Sequence, residues 1–226
     1  MFFLFLVLLT PPAFADPVPQ PLGEGRYQLG KVVIDSRQKT LEIPCRVNMT
    51  NSLIEYVLVA DQGKTHESIF VSDAEPMSVH LGMLFLGAKV AEVPDPASID
   101  FSLTTNGTPI QVEWKTEGDA DWRKVDQLIA KEASDEVIRM PVWNYNGSWT
   151  FNGTFLAQRD RSIVSIIADR DALVNNQHKD RENDDFWVPK TPADWKIGTE
   201  VRIRLRLLKP EKTPNAKQSG DVKTKP

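Results

Sequence analysis

The sequence contains a single cysteine among its 226 residues. Cys45 therefore cannot form an intramolecular disulfide, and it cannot hold an iron–sulfur cluster, which takes four thiolates. It lies in the apolar run LEIPCRV, a setting typical of a buried and inert thiol. A chain of this length buries enough surface to fold without disulfides.

The chain has no apolar run of the roughly 20 residues that span a bilayer. Its most apolar run, from Phe2 to Leu9, has the length of the central region of a signal peptide. Ala13-Phe14-Ala15 is a suitable cleavage site, so residues 1–15 are predicted to be a signal peptide and the protein to be exported, periplasmic or extracellular. No basic residue precedes the run, and the alternative is a buried amino-terminal strand. We expect no transmembrane anchor in the mature chain.

Basic residues are not in excess, since 27 Lys and Arg stand against 31 Asp and Glu, a net charge of −4. This balance argues against a nucleic-acid partner. A Pro-rich stretch predicts a flexible leader over residues 16–25, and polar composition predicts a disordered tail over residues 209–226. Residues 26–208 are then expected to form a single domain.

Short β-branched and alternating segments dominate this domain. Two of them, residues 53–60 and 65–71, flank the turn Asp61-Gln62-Gly63-Lys64 and predict a β-hairpin. Asn152-Gly153 predicts a second hairpin. The predicted fold is α+β, with mainly antiparallel, sandwich-like sheets and one buried helix packed on them. The predicted strand regions are residues 27–34, 39–49, 53–60, 65–71, 109–115, 143–157, 162–168 and 199–208.

The helix is predicted from the segment PMSVHLGMLFLG, which is apolar almost all round. Ser72 and Glu75 have the spacing of a capping box before it. Pro76 is tolerated in a first helical turn, and Gly87 is a typical residue just after a helix end.

No complete catalytic motif is present. Gly63-Lys64-Thr65 lacks the first glycine of a phosphate-binding loop, because that position is Leu58. His66-Glu67 lacks the second histidine of a zinc-binding HExxH, because that position is Phe70. The sequence therefore favours a non-enzymatic protein and leaves enzymatic activity open.

A polar cluster surrounds the first predicted hairpin. Its candidate binding residues are Glu55, Lys64, His66, Glu67, Ser68 and His80. A zinc ion, bound by His66, His80 and Glu55, is the alternative to a protein without cofactor. In a regular strand His66 and Glu67 point to opposite faces, so they share a site only if a bulge intervenes. The structural alternatives are that His80 is a hydrogen-bonded core histidine and that Glu55 pairs with Lys64.

A second polar segment, HKDRENDDFW, covers residues 178–187. Asp184 and Asp185 are candidates to bind a cation or a basic partner, with Trp187 covering the site. The alternative is a solvated charged loop.

The run LIEYVLVADQGKTHESIFV and the helix after it resemble the YdjY-like family of exported bacterial proteins. A W-x-x-x-GS stretch ending at Ser148, the stretch DRDALVNN and the acidic NDDFW are also similar to that family, over residues 27–210. The resemblance implies an exported, β-rich protein and implies no mechanism. It marks as signature positions Gly63, Lys64, His66, Glu67, Ser68 and His80.

Three functions remain open from the sequence. The first is a binding domain of the cell envelope or exterior, with an unknown protein or ligand as partner. The second is a metal-dependent hydrolase that uses His66 and His80 as ligands. The third is a purely structural envelope protein.

Overall fold

The computed structural model describes residues 18–92, 106–132, 139 and 143–208. The predicted signal peptide and disordered tail lie outside these residues. Strands predominate among them. The strands are β1 (Gln20–Gly23), β2 (Arg26–Leu29), β3 (Val32–Asp35), β4 (Thr40–Val47), β5 (Tyr56–Ala60), β6 (Ser68–Ser72), β7 (Thr108–Thr116), β8 (Arg123–Lys124), β9 (Ile129–Lys131), β10 (Trp143–Tyr145), β11 (Thr150–Phe151), β12 (Thr154–Phe155), β13 (Ser162–Ser165), β14 (Val174–Asn176), β15 (Trp187–Pro189) and β16 (Glu200–Leu207). The α-helices are α1 (Pro76–Leu86) and α2 (Leu156–Asp160), and 3₁₀ turns cover Thr65–Glu67 and Val125–Leu128.

The main sheet closes on itself. Its strands follow the order β4-β16-β7-β10-β14-β13-β5-β6, and β6 pairs again with β4. Apolar side chains of these strands fill the interior, among them Ile43, Leu58, Val112 and Ile203, all 0–1 % exposed. The prediction of a mainly β fold is confirmed. The sheets do not form the predicted sandwich, because a closed ring of strands encloses the core.

Strand β4 joins this ring to a second group of strands. One of its edges pairs with β16 along seven residue pairs, from Arg46 to Thr40. The other edge is divided, since Thr40–Glu42 pair with β3 and Arg46–Val47 pair with β6. From β3 the sheet continues through β2 to β1. Strand β1 lies inside the predicted flexible leader, so the folded part begins earlier than the sequence suggested.

Strands β5 and β6 pair in parallel, with Tyr56 opposite Ser68 and Ala60 opposite Ser72. The predicted hairpin is therefore wrong. The polar segment 61–67 does not reverse the chain in a tight turn but carries it back to the start of β5, and it ends in the 3₁₀ turn. Gly63 allows this path, because a Cβ there would lie 2.6 Å from Arg161 Cβ.

Helix α1 begins at Pro76 and ends before Gly87, whose φ of 95° is left-handed as predicted. The predicted capping box is wrong, since Glu75 is the cap residue without a side-chain bond and Ser72 instead donates to Pro44 O. The helix packs on β3, β4, β13 and α2. It is buried on one face only, because Leu84 and Phe85 are 40 % and 46 % exposed.

Two further predictions concern the outer surface. The turn Asn152-Gly153 connects β11 and β12 with positive φ at both residues, which confirms the second hairpin. Strand β16 alternates as predicted, but Arg204 is only 6 % exposed and its guanidinium contacts the Glu113 carboxylate at 2.6 Å. The arginine-bearing face of β16, which was expected to be exposed to solvent, is therefore partly covered.

Candidate functional site

The Thr65–Glu67 turn is held by two buried or half-buried polar side chains. Ser68 is fully buried, and its hydroxyl donates to Lys64 O at 2.6 Å. The Asn48 amide donates to Thr65 O at 2.6 Å and to Ser68 O at 2.9 Å. Ser68, predicted as a binding residue, thus positions the backbone of the turn, in which His66 is exposed and Lys64 and Glu67 are half-buried.

Glu55 and Glu67 are neighbours at the mouth of the β5–β6 pair. The Glu55 amide donates to Glu67 O at 2.8 Å, and their carboxyl groups are hydrogen-bonded to each other. The pKa of Glu55 is raised to about 7, chiefly by partial burial and next by the Glu67 carboxylate, with a smaller rise from Asp184 and an opposing effect of Lys64. Glu55 therefore changes charge near neutral pH.

Asp184 reaches this place from the segment before β15. It is exposed, as is Asp185, and its charge raises the pKa of Glu55, in keeping with a position near that carboxyl group. Trp187 does not cover the site as predicted, because it is fully buried and donates from Nε1 to Asn183 O at 2.6 Å. We call the group Glu55, Glu67 and Asp184 the acidic surface.

Lys64 lies beside the acidic surface, and its side chain is hydrogen-bonded to Tyr56. Its ammonium donates to the Tyr56 hydroxyl and lies 4.7 Å from the centre of the Tyr56 ring. The Tyr56 hydroxyl in turn donates to Asp169 Oδ2 at 2.9 Å. Burial and the Asp169 carboxylate raise the pKa of Tyr56, so the phenol keeps its proton.

Asp169 connects this chain of bonds to two other motif segments. The Asp171 amide donates to Asp169 Oδ1 at 2.9 Å, and the Asn175 side chain donates to Asp169 O at 2.7 Å. Ser148 donates to Asp171 O at 2.7 Å, and Trp149 Nε1 donates to Asp171 Oδ1 at 2.7 Å. The stretches GKTHES, W-x-x-x-GS, DRDALVNN and NDDFW therefore converge around β5.

The two candidate zinc histidines have different neighbours. His66 is on the 3₁₀ turn with its side chain 79 % exposed, and Nε2 lies 3.4 Å from Glu67 Oε2. The turn therefore places His66 and Glu67 side by side, in contrast to the opposite faces expected from a strand. His80 is half-buried on α1, where the Tyr145 hydroxyl lies 2.8 Å from Nδ1 and the Phe155 ring centroid 4.8 Å from its own. Burial lowers the pKa of His80, which favours neutral imidazole.

Among the described residues, no three His, Cys, Asp or Glu side chains form a group that could hold a metal ion. The zinc assignment to His66, His80 and Glu55 stays a prediction. Cys45 is buried, and burial raises the pKa of its thiol, in keeping with the inert role expected from the sequence.

Tyr56 and Asp169 were missed by the sequence analysis. Tyr56 resembles any aromatic residue of a buried strand, and Asp169 is distant in sequence from the GKTHES segment. The one available signal was the resemblance of DRDALVNN to the family, which marked the segment without giving its contact.

The fold is that of a β-rich domain, a closed β-sheet with one half-buried helix packed on it. The acidic surface lies at the β5–β6 crossover. In the part of the chain that the structure covers, no helix is long and apolar enough to cross a membrane. The YdjY domain family matches residues 32–206, and the chain belongs to this family. No curated protein and no solved structure shows significant similarity to it.

Proposed function

We propose that this protein is an exported binding domain of the cell envelope or exterior, and that it binds a basic partner through the acidic surface. The observation that carries the proposal is the convergence of Glu55, Glu67 and Asp184 from three separate segments. Burial and, next, repulsion from neighbouring carboxylates raise the pKa of Glu55, so its charged form opposes folding. A cation bound among them would relieve this repulsion.

The arrangement suits ammonium or guanidinium groups on a partner. The Lys64 ammonium donates to the Tyr56 hydroxyl, and its charge offsets only part of the negative charge around Glu55. The exposed Asp185 and His66 border the same surface. Salt bridges between an exposed acidic surface and a basic peptide are individually weak, so several must act together.

The test uses a fluorescent peptide of alternating lysine and glycine as the probe, titrated with the full chain at low ionic strength. Neutralising the acidic surface by Glu55→Gln, Glu67→Gln and Asp184→Asn together should weaken binding about tenfold or more. The matched control removes three exposed carboxylates elsewhere, by Glu24→Gln, Glu117→Gln and Asp121→Asn, and both variants are compared at pH 8, where Glu55 is mostly charged and the changes in net charge are nearly equal.

The control variant should bind the peptide nearly as well as the natural chain. Equal losses in the two triple variants would show that only net charge matters, and the proposed site would be withdrawn. Export is tested separately, by whether the chain secreted from cells begins after Ala15.

A further inference from the structure

Helix α1 has an apolar face that nothing in the described structure covers. A helix that is apolar all round is ordinarily buried on all sides. Here Leu84 and Phe85 protrude near its carboxyl end, 40 % and 46 % exposed. The Phe85 ring packs edge-on against Tyr27 of β2, with centroids 4.9 Å apart. We call Leu84, Phe85 and Tyr27 the apolar tip.

Basic side chains border the apolar tip. The Lys39 ammonium donates to Leu86 O at 3.1 Å, which places it at the end of α1. The Arg37 side chain lies against Gly25, two residues before Tyr27, and Lys89 follows the helix end. Two acidic residues also belong to this part of the fold, Glu24 in the β1–β2 turn and Asp35, whose carboxylate accepts hydrogen bonds from the Arg37 and Gln38 amides.

We infer that the apolar tip docks on an anionic lipid surface, with Leu84 and Phe85 entering the interface and Lys39, Arg37 and Lys89 meeting the headgroups. Protruding apolar residues with a basic border are the combination that binds such surfaces. A second copy of the chain fits less well, because a symmetric contact would bring the same basic border against itself.

Strand β1 pairs with β2 so that Gln20 lies opposite Gln28 and Pro21 opposite Tyr27, which places β1 beside the apolar tip. The acidic surface is built from other elements, so the inference stands apart from the proposed function.

The test is sedimentation of the full chain with vesicles of phosphatidylcholine, with or without about a third phosphatidylglycerol. We expect at least several-fold tighter binding to the anionic vesicles, reduced by added salt. Leu84→Ser with Phe85→Ser should weaken this binding about tenfold, and Arg37→Gln with Lys89→Gln should remove the preference for anionic lipid. The apolar amino-terminal run carries no basic side chain and is common to all variants.

The matched control is Phe151→Ser with Ile197→Ser, a pair of apolar residues elsewhere that are even more exposed, at 53 % and 65 %. It should bind both vesicles like the natural chain. Equal binding to both lipid compositions would overturn the inference. A dimer that the Leu84 and Phe85 changes dissociate, or an acidic protein bound without any vesicle binding, would assign the apolar tip to that partner instead.

Discussion

Glu55 affects both the stability of the fold and the proposed binding function. Its pKa is raised to about 7 by partial burial first and then by the charges of Glu67 and Asp184. Because the folded-state pKa is above the unfolded value, the folded chain binds the extra proton. The contribution of Glu55 to stability is therefore full below the unfolded pKa near 4.5 and is lost as pH rises through about 7.

Glu55→Gln removes this titration. At pH 8 the variant should be more stable than the natural chain by about 1 kcal/mol, a value already reduced for the partial solvent exposure of the group. At pH 5 the two should be alike. Urea unfolding at both pH values measures the difference, and a variant that is less stable at pH 8 would contradict the assigned environment of Glu55.

We predict that the Tyr56 side chain stabilises the fold and that the His66 side chain contributes little to stability. Tyr56→Phe deletes the hydroxyl that links Lys64 to Asp169 and should lower the free energy of unfolding by about 1–3 kcal/mol. His66→Ala removes an exposed side chain with one ion pair and should change it by less than about 1 kcal/mol. Urea denaturation compares the two, and the reverse order would show that the histidine fixes the turn.

At the scale of elements, sequence patterns located most strands but not their pairing. Alternation identified β16, and glycine identified the end of α1, because both signals are local. The parallel pairing of β5 and β6 was missed, since a Gly-containing polar segment between two β-rich runs looks like a hairpin whichever way the second strand runs. The exposed side of α1 was missed as well, because an apolar sequence does not show which of its faces the sheet covers.

Ion pairs between charged side chains link β7 and β16. Glu113 contacts both Arg204 and Arg206, and Arg204 also stacks over Trp122 with its guanidinium 4.1 Å from the ring centroid. Glu113→Ala leaves Arg204 buried without its carboxylate and should destabilise the fold by about 3–5 kcal/mol. Glu42→Ala, at an exposed pair 4.0 Å from Arg202, should cost less than about 1 kcal/mol.

Thermal and urea unfolding compare these two variants. A Glu113→Leu, Arg204→Met double variant should recover most of the loss, since apolar residues of similar volume can replace a buried ion pair. If Glu113→Ala were as mild as Glu42→Ala, the pair would not be buried in solution as it is in the structure.

At the scale of the whole molecule, the candidate site was only partly predictable. Residues close in sequence, such as Lys64 and Glu67, were proposed as one cluster, and Asp184 was proposed as a separate patch. The proximity of Asp184 to Glu55 and Glu67 could not be predicted, because it depends on the closed sheet bringing the segment before β15 to the start of β5. His80 was grouped with them because of its residue type and the resemblance to the family, and the fold places it against Tyr145 and Phe155.

The closed sheet also separates two surfaces of opposite character. The acidic surface gathers carboxyl groups at the β5–β6 crossover, whereas the apolar tip of α1 is bordered by lysine and arginine. A protein held by the apolar tip on a lipid surface would keep the acidic surface available to a basic partner. The two proposals are independent, and either can fail alone.

The central claim is that Glu55 belongs to a surface that binds cations, and the pH dependence of peptide binding tests it most directly. The affinity of the natural chain for the lysine–glycine peptide should increase about threefold to tenfold between pH 6 and pH 8, because Glu55 becomes charged over that interval. Glu55→Gln should bind with the lower affinity at both pH values. An equal increase in the Glu55→Gln variant, or no increase in the natural chain, would contradict the claim.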